Sequence, residues 1–196
     1  MKIIRLAIVG FGNVGQGFVQ ILKHHRERLS KQFDLGFRVV AVNDLRFGSL
    51  YHPDGLPLDA LLTAAASGDF RHLLADTKDL TVEEMIEHTK ADVLVEASFT
   101  NLETGEPALS YIRRALKRGM HVVTTNKGPI ARCLKELLDL AHSNNVLIGY
   151  EGTVMSGTPA LALGRKFLLG ADITRIRGIL NGTTNFILTR MQHGVD

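Results

Sequence analysis

Three glycines, at positions 10, 12 and 15, interrupt the apolar stretch IVGFGNVGQGFVQIL at residues 8–22. Glycine at that spacing acts through what it lacks. With no Cβ the chain turns tightly at Gly10, Gly12 lets backbone approach a pyrophosphate, and Gly15 lets a helix pack close to a strand. A phosphate would then rest on the helix N-terminus, where unpaired N–H groups and the helix dipole favour an anion. The whole turn, Gly10, Phe11, Gly12, Asn13, Val14 and Gly15, is the candidate dinucleotide-binding site. The bare motif is weak, since glycine also serves ordinary tight turns, and its placement between a strand and a helix gives it meaning.

Two further residues bear on the ligand. An acid at the end of the second strand of such a unit hydrogen-bonds the adenosine ribose, and Asp44 occupies that place, which favours NAD. Two residues on, Arg46 offers a guanidinium able to grip a 2′-phosphate. The distance from Gly15 to Asp44 exceeds the usual spacing of about 20 residues, which points to a long first helix and loop. NAD and NADP both stay open, with a slight tilt to NADP.

The elements that must position these residues follow from periodicity. Residues 3–9 (IIRLAIV) form a nearly continuous apolar run, as in a parallel strand covered on both faces. Phe18, Val19, Ile21 and Leu22 then recur at helical spacing. A second strand at 37–43 completes a βαβ unit, which by chirality crosses over right-handed. Residues 45–80 are the least regular, with a helix expected at 58–66. Thr81 and Glu84 fit a capping box opening a helix to about residue 90. Strands are expected at 92–97, 121–125 and 146–150. A helix with Pro107 in its first turn lies between the first two of these, and a helix over 129–142 lies between the last two. Strands alternating with helices predict an α/β fold with a doubly wound, Rossmann-type parallel sheet over 1–150. After Tyr150 a loop, a helix near 159–168, a strand near 173–180 and a turn into a last helix predict the beginning of an α+β substrate or dimerisation domain over 151–196. About 45 residues cannot make a core alone, so this domain is expected to be incomplete here or completed by a partner chain.

Composition narrows the class. The 196 residues are 45% apolar and 22% charged, ordinary for a soluble globular protein, and the net charge is only +3 with both signs interspersed. No clustered basic face speaks for nucleic acid. The densest basic patch, KHHRER at 23–28, reads as a solvated helix end. The single Cys133 excludes an internal disulfide and a cysteine-based zinc site and suits a reducing cytoplasm. No apolar run reaches the length of a membrane span, and the N-terminus carries no signal-peptide pattern.

Five stretches together resemble the homoserine dehydrogenase family across the whole chain: GFGNVG (10–15), VEASFTNLETGEPAL (95–109), VVTTNKGPIA (122–131), YEGTVMSGTPAL (150–161) and GILNGTTNFILTRM (178–191). The resemblance implies NAD(P)-dependent interconversion of L-homoserine and L-aspartate 4-semialdehyde, on the route to threonine, methionine and isoleucine. It also implies a homodimer in the full-length form. It sets Lys127 in the active site beside cofactor and substrate, with Thr100 against the cofactor and Thr124 flanking. Lys127 follows the C-terminal end of a strand, the edge where open α/β sheets bind ligands. A hydride leaving an alcohol carbon needs a group to hold the hydroxyl proton, and a lysine altered by burial or by neighbouring cations can be that group. The resemblance further implies that Glu151 and the backbone carbonyls of Val154, Ser156 and Thr158 hold a monovalent cation, usually sodium. It also sets Glu151, Asn181 and Thr183 near the substrate, although Asn181 or Thr183 serves equally well as a simple N-cap. A substrate-binding glutamate and a later aspartate and lysine of the family lie beyond the matched region. These residues alone are therefore expected to bind cofactor with turnover impaired.

Two other readings compete. An acylating aldehyde dehydrogenase shares the fold but needs a thiolate in a cleft, whereas Cys133 sits inside the helix ARCLKELL. A non-catalytic dinucleotide-binding module or sensor would need only the binding half.

Overall fold

The computed structural model describes residues 1–194 and divides the chain into two compact units, Met1–Tyr150 and Glu151–Asp196.

The first unit is built on a seven-stranded sheet. Strand β1 (Lys2–Val9) buries Leu6, Ala7 and Ile8 almost completely, as its apolar run requires. Helix α1 (Asn13–His24) packs Val19 and Leu22 inward. A separate helix, α2 (Arg26–Phe33), buries nothing and accounts for the long distance between Gly15 and Asp44. Strand β2 (Leu35–Asp44) returns parallel to β1. Further along come α3 (Leu58–Ser67), α4 (Val82–His88), β5 (Val93–Glu96), α5 (Ala108–Lys117), β6 (His121–Thr124), α6 (Lys127–Ser143) and β7 (Ile148–Gly149). The capping box at Thr81 and Glu84 is formed in both directions.

Two strands lie outside the sequence expectation: β3 (Gly48–Tyr51) and β4 (Thr77–Lys78) add antiparallel to the edge of β2. The sheet order is β4-β3-β2-β1-β5-β6-β7, with β2-β1-β5-β6-β7 all parallel. The direction of winding reverses between β1 and β5, so the strand ends beside Val9 and Glu96 form the switch point where such sheets bind ligands.

One apolar core fixes that edge from below. Phe11, inside the glycine turn, is fully buried and meets Phe70 edge-to-face at 5.5 Å, with Val19, Val42, Leu50 and Leu61 around them. The side chain of Phe11 therefore anchors the turn in the core, and only its backbone faces a ligand.

The second unit holds a single 3₁₀ turn (Glu151–Thr153), a short helix α7 (Ala160–Ala162) continuing as a π-helical turn (Leu163–Phe167), and helix α8 (Gly182–Gln192). The strand expected at 173–180 is not formed. Between Val154 and Gly194 no residue is buried, and Phe167, Leu169, Ile176, Ile179, Phe186 and Leu188 are all more than half exposed. A strand needs a partner to satisfy its N–H and C=O groups, and no other strand lies among the described residues of this unit to provide one.

Candidate dinucleotide site

The glycine turn is held by three kinds of constraint. Gly10 has φ +87°, and its N–H donates to Asn43 O at 2.8 Å. A Cβ there would lie 2.5 Å from Ala97 C and 2.7 Å from Ser98 N, both backbone atoms. A Cβ on Gly15 would collide with the carbonyl of Gly10, so the third glycine is what lets α1 start directly on the turn. Gly12 differs: the only atom near its missing Cβ is Arg46 Nη2, at 3.7 Å. The space over Gly12 is open to a ligand while the spaces over its two neighbours are filled by the protein.

Helix α1 begins at Gly12 with no side-chain cap and no acidic residue in its first turn. Asn13 and Val14 are exposed there. An uncapped helix start of this kind presents N–H groups and the positive end of the dipole to an anion. Asp44 closes one wall. Its side chain is 9% exposed, with Oδ2 accepting from Phe11 N at 2.7 Å and Oδ1 accepting from Arg46 N at 2.9 Å. The Arg46 guanidinium lies over the Phe47 ring at 4.6 Å and 3.5 Å from Asp44 Oδ1, and is otherwise exposed. These residues fit a dinucleotide: an open phosphate cradle, an acceptor for ribose hydroxyls and a cation beside them.

Across the switch point, the ends of β5 and β6 form a second cluster. Glu96 is fully buried, flanked by Val9 on one side and Thr124 on the other. Its Oε1 accepts from Ser98 N at 2.9 Å, from Ser98 Oγ and from Asn126 Nδ2 at 3.5 Å, and its Oε2 accepts from Thr124 Oγ1 at 2.8 Å. Thr124 is 1% exposed and its oxygen also accepts from Asn126 N, so its hydroxyl braces the turn rather than facing solvent. Asn126 caps α6 through Gly128 N and donates to Phe99 O at 3.0 Å. A Cβ on Gly128 would collide with the carbonyl of Asn101, so the start of α6 and the loop after β5 are packed backbone to backbone.

Lys127 opens α6 on this cluster. Its ammonium is exposed and has no partner among the described residues, so of the two influences considered from sequence, burial or neighbouring cations, burial is not present. Thr100 is half-buried in the loop after β5, next to the largely exposed Phe99 ring. Cys133 lies within α6, where the backbone departs from helical geometry, with Arg113 Nη2 at 3.9 Å from its sulfur. It is half-buried inside a helix, which does not suit a cleft nucleophile.

Sequence reasoning did not single out Glu96, Ser98 or Gly128. The available signal was a carboxylate closing the apolar run VLVE, since a fully buried glutamate requires partners.

The second unit places its candidates separately. Glu151 Oε1 accepts from Leu161 N at 3.0 Å and Ala162 N at 3.1 Å, capping α7. Val154 is half-buried, Ser156 and Thr158 are exposed, and Ser156 has φ +55°. Asn181 is the N-cap of α8, accepting from Thr184 N at 2.9 Å, with Thr183 in the first turn. No group of three or more His, Cys, Asp or Glu side chains among the described residues is placed to hold a metal ion, and no helix among them is long and apolar enough to cross a membrane.

The profile of the homoserine dehydrogenase NAD-binding domain matches residues 10–151, and that of homoserine dehydrogenase itself matches 159–196. The chain belongs to the homoserine dehydrogenase family. Among curated homoserine dehydrogenases, it is 45% identical to the NAD(+)-dependent homoserine dehydrogenase of Pseudomonas canavaninivorans, over 97% of this chain and 54% of that protein. It is 39% identical to the homoserine dehydrogenase of Methanocaldococcus jannaschii, over 97% and 57% respectively. A hyperthermophilic archaeal homoserine dehydrogenase solved in complex with NADPH superposes with a TM-score of 0.83 at 32% identity, covering 100% of this chain and 58% of that one. The chain thus spans about half the length of the homoserine dehydrogenases it matches.

Proposed function

We propose that this chain is the cofactor-binding half, with the start of the substrate half, of an enzyme that interconverts L-homoserine and L-aspartate 4-semialdehyde. The observation that carries the reading is the open space over Gly12, at an uncapped helix start between two glycines whose own spaces are filled. The relatives and the NADPH-bound neighbour support it, although the activity, substrate and partners of the whole protein are proposed here on half its relatives' length.

NADP is favoured over NAD. Both Asp44 oxygens already accept a backbone N–H, which leaves fewer directions for ribose hydroxyls, while the Arg46 guanidinium, paired with Asp44 through Nε but largely exposed, could turn to meet a 2′-phosphate. The bound nicotinamide would supply the hydride acceptor for the alcohol carbon. Lys127 would hold the hydroxyl proton from the start of α6, and Thr100 would line the same edge. Glu151, whose Oε1 caps α7, and the carbonyls of Val154, Ser156 and Thr158 would hold a hard monovalent cation such as sodium through oxygen atoms alone. Asn181 and Thr183 are assigned to the substrate side. A cytoplasmic homodimer is the proposed context.

The test is titration of the purified chain with NADP and NAD, alongside homoserine-dependent reduction of each followed by absorbance. Binding with NADP tighter is expected. Failure to bind either dinucleotide would overturn the reading. Binding without homoserine oxidation when the chain is joined to the C-terminal half of a relative would favour a non-catalytic dinucleotide module.

A further inference from the structure

The end of β5 carries a buried carboxylate on which two N–H groups and two hydroxyls converge, from Ser98, Thr124 and Asn126. Ser98 N–H can only donate. Thr124 Oγ1 accepts from Asn126 N–H, which turns its own proton toward Glu96 Oε2. Asn126 presents its oxygen to Gly128 N–H and therefore its amide nitrogen to Phe99 O and Glu96. Four donors thus meet its two oxygens, the acceptor capacity that a carboxylate offers in full. No Lys, Arg or His side chain pairs with it among the described residues, so its negative charge is balanced by oriented dipoles alone.

Its place is also specific. Glu96 pairs with Val9, the last residue before the glycine turn, and with Thr124, two residues before the cap of α6. In a doubly wound sheet whose adenosine side is marked by the acid ending the second strand, the nicotinamide lies over the strands beyond the switch point, here β5 and β6. The nicotinamide ring is the one part of a dinucleotide whose charge changes in the reaction, from cationic when oxidised to neutral when reduced.

We propose that Glu96 is a buried anion beneath the nicotinamide subsite that favours the oxidised over the reduced cofactor. It acts through its field and through the turn it braces, and touches neither substrate nor cofactor; it is a positioning residue. The inference rests on the dinucleotide reading above.

The test compares the dissociation constants of oxidised and reduced NADP in the unaltered chain and in Glu96→Gln, by calorimetric titration, with circular dichroism confirming the fold. Removal of one buried unit charge is expected to shift the oxidised-to-reduced affinity ratio by about five- to tenfold toward the reduced form. Glu96→Asp, which keeps the charge, should hold the ratio within about twofold of the unaltered chain even if both affinities fall. Equal weakening of both forms in Glu96→Gln would assign Glu96 a purely structural role and overturn the proposal. If Glu96→Gln does not fold, Ser98→Ala carries the test: it removes one donor but keeps the charge, so a ratio shifted more than about twofold would equally overturn it. No dinucleotide binding by the unaltered chain would overturn both this inference and the reading beneath it, whereas binding with an unshifted ratio would overturn this one alone.

Discussion

Alanine at Gly10 and at Gly12 should separate fold from function within one turn. At Gly10 the new side chain enters a left-handed backbone, φ +87°, at a cost of about 1–2 kcal/mol. It also meets Ala97 C at 2.5 Å and Ser98 N at 2.7 Å. Those are backbone atoms and cannot rotate aside, so β1 and β5 must part at their ends. That strains the Ala97 N–H to Val9 O bond of 2.8 Å, and overpacking of this kind costs about 1–3 kcal/mol. The sum is about 2–5 kcal/mol, or roughly 4–20 °C in Tm for a unit of this size. At Gly12 the backbone, φ −73° and ψ −157°, is open to any residue, and the nearest atom to the new Cβ is a mobile guanidinium nitrogen at 3.7 Å. Stability should move by less than about 0.5 kcal/mol. The methyl group, however, fills the space a phosphate must enter, and NADP affinity should fall at least about tenfold, or 1.4 kcal/mol. Thermal unfolding followed by circular dichroism, with calorimetric titration of NADP, reads both quantities. A Gly12→Ala protein that stays folded and binds NADP normally would refute the assignment of the cradle. One that unfolds as Gly10→Ala does would refute the packing argument.

Arg46→Ala should weaken NADP about 10–100-fold while leaving NAD within about threefold, measured by the same titration. Asp44→Ala should cost about 1–3 kcal/mol of stability as well, because the half-buried Phe11 N–H loses its acceptor; an unchanged Tm would contradict that. Thr81→Ala removes the side-chain half of the capping box at α4, the hydroxyl that accepts from Glu84 N, and leaves the Thr81 N–H on Glu84 Oε2; it should cost about 1 kcal/mol, visible as a Tm lower by about 2–4 °C. The bidentate hydrogen bond from Arg5 holds the Asp92 carboxyl below its usual range, with the Arg5 backbone N–H adding to it. Its contribution is therefore complete above the unfolded value near pH 3.9 and fades as pH falls through the lower folded value. Asp92→Asn should flatten the acid limb of a stability–pH profile in that window, and an unaltered limb would show that the pair is screened away.

The parts of the fold that could be read from sequence are those whose residues are buried in one way only. Strands β1, β2, β5 and β6 lie inside the sheet and carry most of its buried residues, so their apolar runs are nearly continuous and announce themselves. Strands β3 and β4 are edge additions of four and two residues, and β4 is fully exposed. Nothing in so short and polar a segment separates a strand from a loop, because what makes it a strand is the neighbour it pairs with. The site divides in the same way. Gly10, Gly12 and Gly15 were legible because a missing side chain at fixed spacing has few other uses. Glu96 was not, because its role depends on Ser98, Thr124 and Asn126, which only the parallel pairing of β5 with β6 brings to it.

The expected strand over ITRIRGIL carries the same argument further. Its apolar residues fall on both faces of an extended chain, Ile173 and Ile179 on one and Ile176 and Leu180 on the other, and each stands at least 47% exposed. Burying a side chain of this kind stabilises a structure by roughly 1.5–3 kcal/mol, and leaving a row of them in water forgoes that for every residue. The pattern thus suits a segment covered on both faces. In unit 1 the glycine turn, the core around Phe11 and the sheet all close upon residues already present. Among the described residues of unit 2 only Thr153 is buried, so its apolar faces lie open. Dinucleotide binding, which draws on unit 1, should accordingly survive substitutions such as Ile176→Ser that leave this face polar. Any activity that needs the face covered should not.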